Sequence, residues 1–331
     1  MTDPLLEVRD LHVRFPVRRN LFGRVTAENH AVSGVDLDLL PGETLALVGE
    51  SGCGKTTLGR TIVGAQKATS GTVRFEGRDL TAMKARERAP FRRQIRMVFQ
   101  DPFSSLNPRM TLRQIIGDPL VATGEARGSE LEDRIATMMR RVGLSPDYMD
   151  RYPHAFSGGQ RQRVNIARAL IVEPRLVVAD EPVSALDVSV RAQILNLLRE
   201  LQAEFGLTYL FISHDLSVVE NLADRVAVMY FGRIAELAST AELYERPRHP
   251  YTEALMSAVP IPDPALRGRG TRILLPDELP DPSNPPPGCS FARRCRYAED
   301  RCATGHVDLD DGVRCVRRGE LDLQGIVTPS T

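Results

Sequence analysis

Residues 49–56 read Gly49-Glu50-Ser51-Gly52-Cys53-Gly54-Lys55-Thr56 and match the phosphate-loop pattern G-x-x-x-x-G-K-[ST] at every fixed position. The apolar run Thr44–Val48 predicts a short buried strand before the loop, and Thr57–Val63 predicts a helix after it. Glycines at such a turn let backbone N–H groups face phosphate oxygens beside the positive end of the helix. Lys55 would then reach the β- and γ-phosphates, and Thr56 would ligate Mg²⁺. The flanking strand and helix disfavour an accidental glycine-rich turn.

The overall composition excludes several classes of protein. The chain has 331 residues and a formal net charge of zero, and it has no basic run that would favour a nucleic-acid partner. No stretch approaches roughly 18 consecutive apolar residues. The start of the chain, with Asp3 and Glu7, lacks the charged-then-apolar pattern of a signal peptide. We therefore expect a soluble, cytoplasmic protein.

An antiparallel pair of strands is predicted before the loop. Leu5–Phe15 and Val35–Leu39 alternate apolar and polar residues, as strands with one solvated face do. A basic, loop-like insert that contains Leu21-Phe22-Gly23-Arg24 separates them. Phe15 could close the end of its strand as a core residue or stack on adenine, and the sequence leaves both interpretations open.

The middle of the chain is predicted to be mainly helical. Thr72–Phe75 and Gln94–Phe99 predict strands, and the second strand ends at Gln100. A glutamine at a strand end is usually only a polar exit residue. Helical spacing follows over Leu112–Leu120 and Leu131–Val142, without a strand signal.

A further helix is predicted to begin at the sequence Ser157-Gly158-Gly159-Gln160, just after Phe156. Ser157 and Gln160 have the spacing of a capping box, which contributes about 1 kcal/mol with no other function needed. The two glycines cost roughly 1 kcal/mol each in a helix. That cost indicates that something approaches the backbone closely here, and an anion at the helix N-terminus would fit.

Two carboxylates follow the next apolar strand. Leu176–Ala179 leads directly into Asp180 and Glu181. Apolar runs of this kind are typical of parallel strands that are covered on both faces. Acidic residues at the carboxyl ends of such strands lie where open α/β sheets bind ligands.

The alternation of helices and strands then continues. Asp187 precedes a long predicted helix, Val188–Phe205, and the strand Thr208–Ile212 precedes His214. A single histidine after a strand is most often a helix cap or a core hydrogen-bonding residue. The last strands are predicted at Arg225–Phe231 and Arg233–Leu237. This pattern indicates an α/β fold.

Taken together, the motifs resemble the complete set of the ABC-type ATPases over about residues 5–256. In order, they are similar to that family's aromatic A-loop (Phe15), Walker A loop (49–56), Q-loop (Gln100), signature (Ser157–Gln160), Walker B strand (Asp180 and Glu181), D-loop (Asp187) and H-loop (His214). The resemblance implies a P-loop NTPase core with an antiparallel β subdomain and a helical subdomain at about residues 101–156. We expect an ATPase domain at residues 1–257 and an irregular extension at residues 258–331.

The resemblance also implies how the site works. Each ATP, with Mg²⁺, would be held in a head-to-tail dimer between the Walker A loop of one subunit and the signature helix of the other. Glu181 would polarise the attacking water, and His214 would contact the γ-phosphate and its own Glu181. Gln100 would sense Mg²⁺, which Thr56 and a water on Asp180 would hold. The residues that the resemblance assigns to the nucleotide are Phe15, Gly49, Ser51, Gly52, Cys53, Gly54, Lys55, Thr56, Thr57, Gln100, Ser157, Gly158, Gly159, Gln160, Asp180 and Asp187, with Lys55, Gln100, Glu181 and His214 assigned to catalysis.

Two further stretches narrow the resemblance. The sequences at Asp101–Arg109 and Arg248–Leu255 look like those of the oligopeptide, dipeptide and nickel importer ATPases. The basic insert is similar to the F-type ATPase of the oligopeptide and dipeptide systems. This implies a peptide importer at the cytoplasmic face of the membrane, with a D-type ATPase as dimer partner, two permease subunits and an extracytoplasmic binding protein. A short permease helix would dock on the helical subdomain.

Other ABC ATPases are the alternatives. DNA-repair and chromosome types have long coiled-coil inserts, whereas the segment from Lys55 to Phe156 contains no heptad run. Translation-associated types include a group with an N-terminal iron–sulfur cluster and two ATPase domains in one chain. The importer-like stretches disfavour a third alternative, an exporter half without its membrane domain, whereas an importer of nickel or another solute stays open.

The C-terminal stretch contains a candidate metal site. It is rich in proline and holds four of the five cysteines, Cys289, Cys295, Cys302 and Cys315, whereas Cys53 is most simply a small filler in the phosphate loop. A reducing compartment disfavours disulfides, and four free buried cysteines are a second alternative. Four thiolates suit Zn²⁺ and iron–sulfur clusters equally well. A resemblance of Gly288–Cys295 to the C-terminal pattern of peptide-importer ATPases, some of which carry a [4Fe–4S] cluster, favours the cluster with a structural role.

Overall fold

The computed structural model describes residues 3–19, 25–101, 105–259, 272–276, 280–305 and 307–326. Its strands are β1 (Leu6–Arg19), β2 (Val25–Leu39), β3 (Thr44–Val48), β4 (Ser70–Phe75), β5 (Arg78–Asp79), β6 (Ile95–Val98), β7 (Leu176–Asp180), β8 (Thr208–Ser213), β9 (Arg225–Tyr230) and β10 (Arg233–Ser239). Its α-helices are α1 (Lys55–Ile62), α2 (Phe91–Gln94), α3 (Leu112–Thr123), α4 (Gly128–Arg141), α5 (Gly158–Leu170), α6 (Val188–Phe205), α7 (Leu216–Val219), α8 (Thr240–Glu245) and α9 (Pro250–Met256). The insert residues Leu21-Phe22-Gly23-Arg24 and much of the proline-rich stretch lie outside the described residues.

The chain forms two compact units. The first comprises Met1–Leu39, Thr44–Ala82 and Ser213–Thr331, and the second comprises Leu40–Glu43 and Met83–Ile212. The predicted helical subdomain lies in the second unit. The C-terminal residues belong to the first unit, together with the phosphate loop.

The first unit contains an antiparallel sheet in the order β2-β1-β4-β5. Leu6 pairs with Leu39 and Val8 pairs with Leu37, and these side chains are buried on one face. The predicted antiparallel pair is therefore confirmed, although both strands extend further toward the insert than the alternation alone indicated. In the same unit β3 pairs in parallel with β9, and β10 pairs antiparallel with β9.

The second unit places three parallel strands in the order β8-β7-β6. All residues of β7 and β8 are buried, which explains their continuous apolar sequences. Helices α3, α4 and α5 pack on one another, and a Cβ atom at Gly117 of α3 would lie 2.9 Å from Ile135 of α4. The two long predicted helices of this region are confirmed, with slightly different bounds.

The described C-terminal residues are part of the first unit and have little regular structure, although some of them, such as Phe291 and Val313, are buried. Two 3₁₀ turns, Ala292–Arg294 and Asp300–Cys302, are present among the described residues of this stretch. Arg314 N–H donates to Ala235 O of β10 at 2.8 Å, and Ile326 N–H donates to Tyr244 O of α8 at 2.9 Å. Backbone hydrogen bonds thus fix the stretch to β10 and α8. Within the described ranges, no helix has the length and apolar character needed to cross a membrane.

Candidate functional site

The phosphate loop joins β3 to α1, as its sequence predicts. A Cβ atom at Gly49 would lie 2.1 Å from Met229 O, and one at Gly54 would lie 2.1 Å from Ala31 O. Both contacts are too short for any side chain, so these two glycines are required by packing. Gly52 has a φ of 82° and open space beside it, so here glycine is favoured by the backbone conformation.

Lys55 lies inside this loop. Its side chain is buried, and Nζ donates hydrogen bonds to Gly49 O at 2.7 Å and to Glu50 O at 2.9 Å. Because both acceptors are neutral carbonyls of a phosphate-binding turn, an anion with charged oxygens would be a stronger partner for the ammonium. Cys53 is also buried, and burial raises the pKa of its thiol, which fits a neutral filler.

The other nucleotide-site residues of the first unit are accessible. Ser51 is exposed, and Thr56 and Thr57 are half-buried in the first turn of α1. Phe15 is half-buried in β1, where it pairs with Asn29. Phe15 is therefore not a fully buried core residue, and its stacking on adenine stays a prediction.

The second unit brings together Gln100 and the Walker B carboxylates. Asp180 is buried at the end of β7, and the next residue, Glu181, adopts a positive φ of 45°. Such a backbone conformation is uncommon for a residue with a side chain and is often found at functional sites. Gln100 Nε2 donates to Glu181 Oε2 at 2.9 Å, and Glu181 N–H donates to Ile212 O at 3.0 Å. The carboxylate is thus held in a defined position.

The signature helix α5 begins with the predicted capping box. Gln160 N–H donates to Ser157 Oγ at 3.4 Å, and Ser157 N–H donates to Gln160 Oε1 at 3.1 Å. A Cβ atom at Gly159 would lie 2.4 Å from Cγ1 of Val190 in α6, so any side chain here would force Val190 or the helix start to move. A Cβ atom at Gly158 would meet only Leu186, at an ordinary 3.6 Å. Only Gly158 therefore lacks a packing reason, a distinction that the sequence did not reveal.

Asp187 and His214 are both exposed. Asp187 precedes α6 without a side-chain capping bond, and its carbonyl accepts a hydrogen bond from Arg191 N–H at 2.8 Å. Val188 beside it is 80% exposed. The roles that the resemblance gives Asp187 and His214 stay predictions.

The four C-terminal cysteines line one cavity. Its other lining residues include His249, Phe291 and Tyr297. All four thiols are free, and Cys289 N–H donates to Cys302 O at 2.9 Å. Burial, with smaller contributions from the neighbouring cysteines, raises the pKa of the Cys295 thiol to about 11. In the part of the chain that the structure describes, no three or more His, Cys, Asp or Glu side chains are arranged to hold a metal ion.

Sequence reasoning missed two contacts to the phosphate loop. Arg294 forms an ion pair with Glu50, with Nη1–Oε2 and Nη2–Oε1 distances of 2.7 and 3.0 Å. Glu50 N–H donates to the Tyr251 hydroxyl at 2.8 Å. These partners lie 244 and 201 residues away along the chain, so no local pattern could have indicated them.

Family models match two parts of the chain. The model described as "ABC transporter" matches residues 32–184, and "Oligopeptide/dipeptide transporter, C-terminal region" matches residues 235–302. The oligopeptide transport ATP-binding protein AppF of Bacillus subtilis is 52% identical over 91% of this chain and 92% of its own length. OppF of Salmonella typhimurium is 52% identical over 94% of each chain, and the dipeptide transport ATP-binding protein DppF of Haemophilus influenzae is 48% identical over 93% of each.

Solved structures show a similar fold. A dimeric post-hydrolysis state of the ATP-binding cassette MJ0796, bound to ADP and Pi, is 27% identical, with a TM-score of 0.63 over 71% of this chain and 98% of that chain. CbiO1 from Clostridium perfringens, part of the ABC transporter complex cbiONQ, is 29% identical, with a TM-score of 0.62 over 73% of this chain and 91% of that chain. The ABC ATPase fold predicted from the motifs is confirmed. The chain belongs to the ABC transporter family, in the group of oligopeptide and dipeptide transport ATP-binding proteins.

Proposed function

We propose that the chain is the ATP-binding and hydrolysing subunit that powers peptide import through an ABC transporter. Relatives named as oligopeptide and dipeptide transport ATP-binding proteins support this function, at 48–52% identity along nearly the whole chain. The observation that carries the hydrolytic role is the hydrogen bond between Gln100 and Glu181 at the strand ends of the second unit.

The chain's own residues would act mainly by positioning and by charge stabilisation. Lys55 would exchange its two loop carbonyls for phosphate oxygens. Glu181, oriented by Gln100, would accept a hydrogen bond from the attacking water, and His214 would contact the γ-phosphate. Thr56, Asp180 and Gln100 would hold Mg²⁺, which neutralises phosphate charge when it is bound.

A dimer would complete each site. Ser157 to Gln160 and Asp187 would serve the nucleotide on the partner subunit. We propose a heterodimer with a D-type ATPase, attached to two permease subunits at the cytoplasmic face of the membrane and supplied by a peptide-binding protein. An active native transporter with two copies of this chain would refute the heterodimer.

The test of hydrolysis is Glu181→Gln in the assembled transporter. The variant should bind ATP and accumulate as a closed dimer, with turnover reduced about a hundredfold or more, because the water loses its base. Glu173→Gln is a matched control, since Glu173 also has a positive φ, of 50°, and is exposed. Turnover by E181Q at the wild-type rate would refute the assigned role.

We also propose that Cys289, Cys295, Cys302 and Cys315 hold a metal centre, a [4Fe–4S] cluster before Zn²⁺. The donor set suits either metal, and the four thiols line one cavity. In the described residues they are not arranged to hold a metal ion as they stand, so metal binding would have to draw the thiols together. The raised thiol pKa values of Cys289, Cys295 and Cys315 come mainly from burial. A metal would stabilise the thiolate forms and thereby fix this irregular stretch to the first unit.

Anaerobic purification of the full chain tests whether the four cysteines hold an iron–sulfur cluster. Iron–sulfur ligation predicts brown protein with about four irons per chain, and Cys302→Ser should lose the colour. Cys53→Ser is the matched control, because Cys53 lies in the phosphate loop. Colourless protein with one tightly bound zinc would show that the four cysteines hold zinc and not a cluster. Protein without either metal would refute the metal centre.

A further inference from the structure

The phosphate loop carries a carboxylate of its own. Glu50 is the second residue of the loop, and its carbonyl oxygen accepts a hydrogen bond from Lys55 Nζ at 2.9 Å. The residue is thus part of the turn that receives phosphates. An unpaired carboxylate in this turn would repel the several negative charges of ATP.

Arg294 pairs with this carboxylate in a bidentate geometry. The side chain of Arg294 is only 5% exposed, whereas that of Glu50 is 31% exposed. Paired N–H groups facing both carboxylate oxygens form one of the stronger ion pairs in proteins. Burial on the arginine side also reduces screening of this pair by salt.

Other contacts fix Arg294 in place. Its Nε donates to Pro276 O at 2.7 Å, and Nη1 approaches the Tyr230 hydroxyl at 3.5 Å. Arg294 ends a 3₁₀ turn that directly precedes Cys295. The position of the guanidinium therefore depends on the fold of the C-terminal stretch.

We propose that Arg294 is a positioning residue of the nucleotide site, which acts by neutralising the Glu50 carboxylate beside the phosphate-binding turn. The backbone of this turn is held separately, by the hydrogen bond from Glu50 N–H to the Tyr251 hydroxyl. The inference rests on ATP binding at this loop. It gives the C-terminal stretch a role in nucleotide affinity that does not require a metal.

The experiment measures binding of Mg-ATP by the purified full chain, with variants Arg294→Met, Glu50→Gln and the double variant. Methionine preserves much of the apolar stem while it removes the charge. We expect R294M to bind about tenfold more weakly, because the carboxylate is left unpaired near the phosphates. E50Q and the double variant should both bind Mg-ATP within about threefold of wild type, since neither retains the negative charge of the Glu50 carboxylate.

Two readouts separate this role from a loss of packing. The weakening in R294M should shrink at about 0.5 M salt, because salt screens repulsion between charges. In the assembled transporter, R294M should raise the KM for ATP and leave kcat nearly unchanged at saturating ATP. Arg301→Met is the matched control, since Arg301 pairs with Glu299 and Glu320 on the surface of the same stretch.

The outcomes are distinct. R294M that binds as tightly as wild type, or a double variant as weak as R294M, would overturn the inference. If R294M does not fold, Arg294→Gln replaces it with the same expectations, and wild-type affinity in R294Q would equally overturn the inference. Failure of wild type itself to bind Mg-ATP would contradict the proposed function and not this role alone.

Discussion

Gln100 donates a hydrogen bond from Nε2 to Oε2 of Glu181 over 2.9 Å. The sheet register explains this contact. Val98 of β6 is paired with Ala179 of β7, and Gln100 and Glu181 each lie two residues after these paired positions. Neighbouring parallel strands end at the same edge of a sheet, where ligands bind. The glutamine therefore fixes the carboxylate that the proposed mechanism uses.

We expect Gln100→Ala to lower kcat for ATP hydrolysis by about ten- to a hundredfold, because a hydrogen bond to a charged group contributes about 1.5–3 kcal/mol. The change should be visible in single-turnover hydrolysis by the assembled transporter. Gln202→Ala is the matched control, since the Gln202 amide donates to Gly42 O on the surface. Equal rates in Q100A and wild type would show that Glu181 does not need this partner.

The two signature glycines should respond differently to the same substitution. Gly159→Ala should destabilise the protein by about 1–3 kcal/mol, because its methyl group would overlap Val190, whereas Gly158→Ala should leave the stability nearly unchanged. G158A should nevertheless lose hydrolysis if a partner's nucleotide docks at this helix start. Urea unfolding and ATPase assays on the same preparations make the comparison.

A second variant tests the packing explanation for Gly159. Adding Val190→Ala to G159A removes the overlapping methyl group and should restore most of the lost stability. If the double variant is as unstable as G159A, the cost arises elsewhere, for example from the helix start itself.

Local patterns were enough to predict much of the fold and the elements on which the candidate site residues lie. The loop at Lys55, the capping box at Ser157 and the helix Val188–Phe205 depend on nearby residues, and the structure has all three where the sequence placed them. The short helices α2, α7, α8 and α9 were not predicted, since four to seven residues do not establish a helical period.

Contacts between distant parts of the chain escaped prediction for a different reason. The close approach of Val190 to Gly159 and the pairing of Glu50 with Arg294 depend on which elements become neighbours in space. A glycine or a glutamate gives no sign of its distant partner in one sequence. The four cysteines differ from these contacts, because their number and spacing already indicated a shared site, and all four line one cavity.

Glu236 should make stability depend on pH. This fully buried carboxylate accepts hydrogen bonds from Arg248 N–H at 2.8 Å and His249 N–H at 3.0 Å, and burial raises its pKa above the ordinary 4.5. The folded state holds the proton of Glu236 more tightly than the unfolded state does. The contribution of Glu236 to the free energy of unfolding is therefore present below pH 4.5 and is lost as the pH rises through the folded-state pKa.

We expect the free energy of unfolding of wild type to fall, relative to Glu236→Gln, with a slope of up to about 1.4 kcal/mol per pH unit in that window. Urea unfolding at a series of pH values measures the difference. The exposed Glu245 provides the control substitution, Glu245→Gln, which should follow wild type. Parallel pH profiles for wild type and E236Q would contradict the assignment.

Ser105 links the segment after Gln100 to the signature helix. Asn165 Nδ2 of α5 lies 2.8 Å from Ser105 Oγ, and Arg168 Nη1 donates to Ser105 O at 2.7 Å.

Pro102, Phe103 and Ser104 lie outside the described residues, so the predicted docking of a permease helix is tested best from Ser105 to Arg109. Single cysteines there should crosslink to the permease, whereas a cysteine at the exposed Glu173 should not. If docking is transmitted through Ser105, Asn165→Ala should reduce peptide uptake per ATP hydrolysed. Because Asn165 is buried and hydrogen-bonded to Ser105, the substitution should also lower the free energy of unfolding by about 1–3 kcal/mol, so uptake is compared at a temperature where the variant is folded. Uptake that stays proportional to hydrolysis in N165A, together with no crosslinks in an active complex, would place the coupling contact elsewhere on the subunit.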